Sequence, residues 1–180
     1  MPPNNDGRAS EAFWQAVRML IREAEASDWA QIWPFMHRIV AAGDTFTYPA
    51  DMDEKQAHDG WLLAAPDRTV VAVDDTGTVL GTAKMNRNHM GNASHIASAS
   101  YMVDPAHSGQ GVGRALCEYS LEWARDQGYR AMQFNAVVET NTRAVRLYES
   151  LGFGVVGTLQ EGFRHPEHGY VGLHIMYRTL

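Results

Sequence analysis

The sequence predicts an α+β fold: one layered domain whose sheet is mixed and mainly antiparallel. Three observations lead there. Residues 68–73 and 78–87 are β-rich runs joined by Asp74-Asp75-Thr76-Gly77, the signature of a hairpin. Residues 94–103 read as a strand that runs into a glycine-rich turn, a helix and a further strand at 131–138, which makes a strand–helix–strand crossover. The chain then closes on two more strands, 153–159 and 170–178. The order βααβββαβαββ lacks the strict alternation of a doubly wound sheet.

Each element has its own reason. Residues 1–9, with Pro2, Pro3, Asn4, Asn5, Asp6 and Gly7, favour coil and read as a flexible tail before a domain at 10–180. Alternation at Val17, Met19 and Ile21 leans to a strand. Ser27 reads as the N-cap of a helix running to about Ala42, with Ile32, Phe35, Met36, Ile39 and Val40 as its apolar stripe and Gly43 as its stop. Pro34 inside that stripe predicts a kink or a restart. Residues 44–51 (DTFTYPAD) form a loop, and residues 53–64 a second helix anchored by Trp61 and Leu62. Ala97, Ser98, Ala99 and Ser100 make the strand at 94–103 thin enough for a ligand to lie close to its backbone. Residues 114–125 carry a helical pattern that ends at Gly128, and residues 141–150 a shorter one.

Composition narrows the function classes. A length of 180 residues suits one core. The net charge of −6, with no basic run, argues against nucleic acid or an anionic membrane as the main partner. No apolar run approaches a membrane span, and the polar N-terminus has no signal-peptide core, so a cytoplasmic location is the expectation. Cys117, the single cysteine, excludes an internal disulfide and reads as a small buried hydrophobe within a helix. His165-Pro166-Glu167-His168 reads as a turn between strands, not a metal site, because the ligand spacing is undefined.

The stretch that carries chemistry is HSGQGVGRAL, residues 107–116. Gly109, Gly111 and Gly113 leave several backbone N–H groups uncovered where a helix begins. A helix N-terminus has unpaired donors and partial positive charge, and so attracts phosphate. Downstream lies NTRAVRLYESLGF, residues 141–153, in which Asn141 and Tyr148 stand seven residues apart. Seven residues is close to two helical turns, so both share one face, whereas Arg143, Arg146 and Glu149 point elsewhere.

At these two stretches the sequence resembles the GNAT superfamily of acetyl-CoA-dependent N-acetyltransferases. The matches are the HSGQGVGRAL turn after a strand ending in YMV, and the N-x6-Y-x3-GF pattern. The resemblance covers residues 97–153 closely and the rest in outline. It implies a mainly antiparallel seven-stranded sheet flanked by helices, acetyl-CoA as acyl donor, no metal, and a homodimer. It also implies roles. Backbone N–H groups of Ser108, Gly109, Gln110, Gly111, Val112 and Gly113 would hold the coenzyme pyrophosphate, and Arg114 would add charge. The strand end Tyr101-Met102-Val103 would pair with the pantetheine arm through the backbone of Tyr101 and Val103, and the Tyr101 N–H would polarise the thioester carbonyl. Asn141 would hydrogen-bond the pantetheine, and Tyr148 would protonate the departing thiolate. The implied reaction is direct attack of a neutral amine on the thioester. Two departures stand out. Ser108 replaces the family's usual Arg or Gln, and residues 94–103 hold no Asp or Glu to act as a base. A water chain, His95, Glu139, or an amine that binds already neutral are the remaining routes for the proton.

The acceptor side is read the same way. FNAVVETN, residues 134–141, is similar to the corresponding stretch of GNAT enzymes that acetylate small amino acids and proline analogues, in which the first asparagine faces the acceptor. Asn135, sharing a strand face with Val137, would bind an acceptor carboxylate or help hold the reacting group. The loop at 44–51 resembles the acceptor-side loop of acetyltransferases acting on phosphinothricin, which places Phe46 and Tyr48 at an acceptor pocket. The resulting expectation is an enzyme that acetylates a small amino-acid-like amine. The alternatives are a protein or peptide N-acetyltransferase and a non-catalytic acyl-CoA sensor.

Overall fold

A computed structural model describes residues 19–180. The expected tail at 1–9 and the strand start at Val17 lie outside the described residues. Among the described residues, seven strands form one sheet in the order β1-β2-β3-β4-β5-β7-β6. They are β1 (Leu20–Glu23), β2 (Arg68–Val73), β3 (Val79–Arg87), β4 (Ile96–Val103), β5 (Ala131–Val138), β6 (Gly154–His165) and β7 (Gly169–Thr179). All neighbours are antiparallel except β4 and β5, which are parallel and meet only at Ile96–Ala131 and Ala97–Met132. Beyond those two pairs the strands part.

Two helices, α1 (Trp29–Ala42) and α2 (Glu54–Trp61), cover one face of the sheet, where Ile32, Phe35, Met36 and Trp61 bury against Val71, Val79 and Met102. The other face carries α3 (Val112–Asp126) and α4 (Thr142–Ser150), with Leu116, Cys117, Leu121 and Phe153 buried against Ala83, Met85, Ala97 and Phe134. The expected α+β class and single layered arrangement hold.

Several local expectations change. Ser27 does not cap α1. The chain enters through a 3-10 turn at Ala26–Asp28, where the Asp28 carboxylate accepts from the Glu25 N–H at 2.7 Å and pairs with Arg22 at 2.7 Å. Pro34 causes no restart, and α1 runs unbroken to Gly43, which closes it at φ +66°. The carbonyl that Pro34 leaves unpaired belongs to Ala30, an exposed residue, so water can satisfy it while Phe35 and Met36 hold the helix to the core. The second helix stops at Trp61, three residues early, and begins with a capping box between Asp53 and Gln56. β6 extends to His165. Its alternation breaks at an irregularity between Leu159 and Phe163, and pairing with β7 resumes beyond it.

Candidate active site

The parting of β4 and β5 opens a slot of about 700 Å³. It is lined by β4 from Ser98 to Val103, by β5 from Phe134 to Val138, by the glycine turn and by α4. Why the slot has hydrogen-bonding walls follows from strand geometry. The Asp104 N–H donates to the Leu80 carbonyl on β3, and the His95 carbonyl accepts from Arg130 beyond β4's other edge. Main-chain groups alternate sides along a strand. Tyr101 and Val103, odd-numbered like His95, therefore turn their N–H and C=O toward the gap, where no strand meets them. Met102 differs from the expectation: its main-chain groups face β3 and its side chain is buried in the α1–α2 core. Its place in the slot is structural.

The glycine turn closes one end. Gly109 and Gly111 adopt φ of +87° and +82°, which only glycine takes without strain. α3 begins two residues earlier than its pattern suggested, at Val112, with Gly111 as an N-cap that has no side-chain hydrogen bond. The first N–H groups of a 15-residue helix are thus left open. Ser108, Gly109, Gly111, Val112, Gly113 and Arg114 all line the slot, while the exposed Gln110 does not. Arg114 donates to Ser150 Oγ at 2.7 Å.

On the opposite bank Asn141 caps α4, its Oδ1 accepting from the Ala144 N–H at 3.3 Å, which leaves its amide nitrogen as a donor. Tyr148 lies on the same bank, as the two-turn spacing required, and both line the slot. Its ring packs on Phe134 at 4.6 Å, with Tyr101 and Phe153 each 6.1 Å away. Among the described residues nothing hydrogen-bonds its hydroxyl. The phenol is protonated at neutral pH, and burial raises it further above its ordinary pKa. The Tyr101 hydroxyl is committed to Ser120 Oγ at 2.6 Å. Cys117 is fully buried and its thiol is pushed up to about 11, which leaves it a packing residue.

Phe46 and Tyr48, stacked at 5.7 Å, also line the slot, with Thr45, Thr47, Ser98 and Ser100. Asn135 lines it too, but not in the way alternation implied. A bulge between Phe134 and Val137 sets Asn135 and Ala136 both outward while Val137 is buried. The Asn135 amide exchanges hydrogen bonds with Asn88 at 2.6 and 3.3 Å and accepts from Gln133 at 2.8 Å. Asn88 and Gln133 have no sequence signal, since the bulge that gathers them is invisible in the residue pattern. Among the described residues that line the slot there is no Asp or Glu. Neither His95 nor Glu139 lines it, and Glu139 accepts from the Gly172 N–H at 2.6 Å. Arg143 is the residue the sequence reading sent elsewhere. It lines the slot and donates from Nη1 to Ser108 Oγ on the far bank.

The slot thus sets two splayed parallel strands, with open main-chain groups on β4, beside a glycine-rich helix start. The chain belongs to the acetyltransferase (GNAT) family, whose model matches residues 28–153. It is 53% identical to a GCN5-related N-acetyltransferase from Kribbella flavida, with a TM-score of 0.88 over 90% of this chain and 98% of that one. It is 34% identical over 112 residues to N-acetyltransferase aca1 of Schizosaccharomyces pombe, covering 62% of this chain and 54% of that relative. The chain thus spans about half the length of that curated relative. A phosphinothricin acetyltransferase from Sinorhizobium meliloti, solved in complex with AcCoA, shares the fold with a TM-score of 0.80 at 22% identity, over 90% of this chain and 88% of that one. Acetyl-CoA is the donor that fits this family and this slot: the open N–H groups at α3 suit phosphate, and the unpaired edge of β4 suits an extended amide-bearing arm. Among the described residues no three His, Cys, Asp or Glu side chains gather as a metal site, and no helix is long and apolar enough to cross a membrane.

Proposed function

We propose that this chain transfers an acetyl group from acetyl-CoA to the amine of a small, amino-acid-like acceptor. The observation that carries the reading is the pair of open main-chain positions, Tyr101 and Val103, in a slot that Tyr148 and the glycine turn also line. When bound, the coenzyme supplies an acetyl thioester. The Tyr101 N–H draws charge from the thioester carbonyl, and Asn141 and Val103 fix the arm. Tyr148, protonated at neutral pH, gives its proton to the leaving sulfur. With no carboxylate in the lining, the amine is neutral on arrival or loses a proton to water, and the N–H proton it sheds on forming the amide passes through water to restore Tyr148.

The acceptor class rests on the stacked Phe46 and Tyr48, which line the slot together with Asn135 and offer an aromatic wall beside an amide. One N–H of Asn135 remains for an acceptor oxygen, with Asn88 and Gln133 holding the amide in place. A cytoplasmic homodimer completes the proposal. Edge strand β6 supports the dimer because it exposes Val155, Val156 and Leu159.

Release of free thiol from acetyl-CoA, measured against free amino acids, proline analogues, polyamines and short peptides, tests the reading. Turnover with one amino-acid class and not with peptides is the expected result. Turnover with peptides alone would replace it with a protein acetyltransferase. Tight coenzyme binding without turnover across the panel would make the chain a sensor.

A further inference from the structure

We propose that Arg143 is the side chain that meets the negative charge of the coenzyme's diphosphate, delivered from α4 across the slot rather than from the glycine turn. The inference rests on the coenzyme reading above and names a residue for it. Within the turn, residues 108–113 offer main-chain N–H groups and one short hydroxyl, and no side chain with a formal charge. Arg143 occupies the second helical position of α4, directly after the Asn141 cap and Thr142. A cation there faces the positive end of the helix dipole, an arrangement that local energetics disfavours. Something beyond the helix must account for it.

The guanidinium's partners suggest what that is. Among the described residues no carboxylate pairs with Arg143, and the contact it makes is to Ser108 Oγ. A β-carbon built on Gly109 would lie 4.0 Å from Nη2, so the fork sits directly over the turn. The other arginine of the lining, Arg114, is already engaged, by Ser150 at 2.7 Å and Glu118 at 3.5 Å. Arg143 keeps most of its five N–H donors for a ligand, in the planar fork that suits two phosphate oxygens at once. Ser108 is then an orienting hydroxyl that parks the guanidinium over the turn.

Calorimetric titration of the full chain with coenzyme A, dephospho-coenzyme A and pantetheine tests this without an acceptor. Arg143→Ala is expected to weaken coenzyme A and dephospho-coenzyme A alike, by roughly 10–100-fold as for a lost charge-assisted contact. Pantetheine, which has no phosphate, should bind both proteins equally. Arg143→Lys should fall between, keeping charge without the fork. Ser108→Arg added to Arg143→Ala should recover part of the loss for coenzyme A and dephospho-coenzyme A and leave pantetheine unchanged. Unchanged coenzyme A binding in Arg143→Ala overturns the assignment, and so does an equal loss for pantetheine. A loss for coenzyme A but not for dephospho-coenzyme A moves Arg143 to the 3′-phosphate and also overturns it. If the unmodified chain binds no coenzyme A, the coenzyme reading itself falls, and this inference with it.

Discussion

The role proposed for Tyr148 rests on its surroundings. Phe134, Tyr101 and Phe153 pack around the ring, and burial pushes the phenol further above its ordinary pKa. Tyr148→Phe is expected to lower kcat by roughly 100-fold or more while coenzyme A affinity stays constant, read by thiol release and titration calorimetry. A second expectation concerns pH. Because the folded phenol titrates above its ordinary value, Tyr148 loses no proton across the neutral range. With no carboxylate base in the lining, kcat/KM should climb with the ionisation of the acceptor amine and show no fall near neutrality. Acceptors of different amine pKa should shift that rising limb in step. A limb fixed at one pH for every acceptor would reveal an enzyme base. At the same scale, Arg22 beside Asp28 holds that buried carboxyl below its usual value. The stability from this pair is fully present above the ordinary carboxylate pKa and is lost as pH falls through the lower folded value. Asp28→Asn should flatten the acid side of a Tm-against-pH profile.

Elements differ in how far the residue pattern reaches. β2 and β5 match their expected bounds because short β-rich runs with clear turn signals leave no competing period. α3 begins at Val112 because Gly111, already in the left-handed region, can serve as the cap that the apolar stripe alone did not mark. Two features that periodicity misplaced, the face of Asn135 and the length of β6, are both irregular pairings, in which an added residue flips every inference drawn from alternation. Arg143 was missed for a related reason: helical spacing assigns it a face, but a long side chain near a helix start can reach over an adjoining groove. Packing between elements gives a further prediction. A β-carbon at Gly81 would lie 2.9 Å from the Met102 carbonyl and 3.0 Å from Val112, where α3 rests on the sheet. Gly81→Ala should therefore cost about 1–3 kcal/mol in a denaturant titration, through displacement of backbone that has no room to move.

For the molecule as a whole, the motifs at 107–116 and 141–153 made both banks of the slot legible, since each is a local pattern tied to one helix. The slot's depth was not legible, because it depends on two strands ceasing to pair. At the outer edge, β6 presents Val156 with 64% of its surface exposed. If a second copy covers it, Val156→Lys should convert a dimer to a monomer in sedimentation equilibrium, and a monomeric parent protein would end the dimer proposal. At the sheet's centre, the two pairs between β4 and β5 make a seam. Main-chain bonding within the sheet almost divides it there, into β1–β4 and β5–β7, with α3 and the shared core holding the halves together. A seam of this kind is where sub-global opening should begin, with amides flanking it exchanging with deuterium before those of β2 and β3. A ligand that bonds along β4 would supply the rungs the strands do not, so coenzyme should slow exchange on both sides of the seam and let the halves melt as one unit.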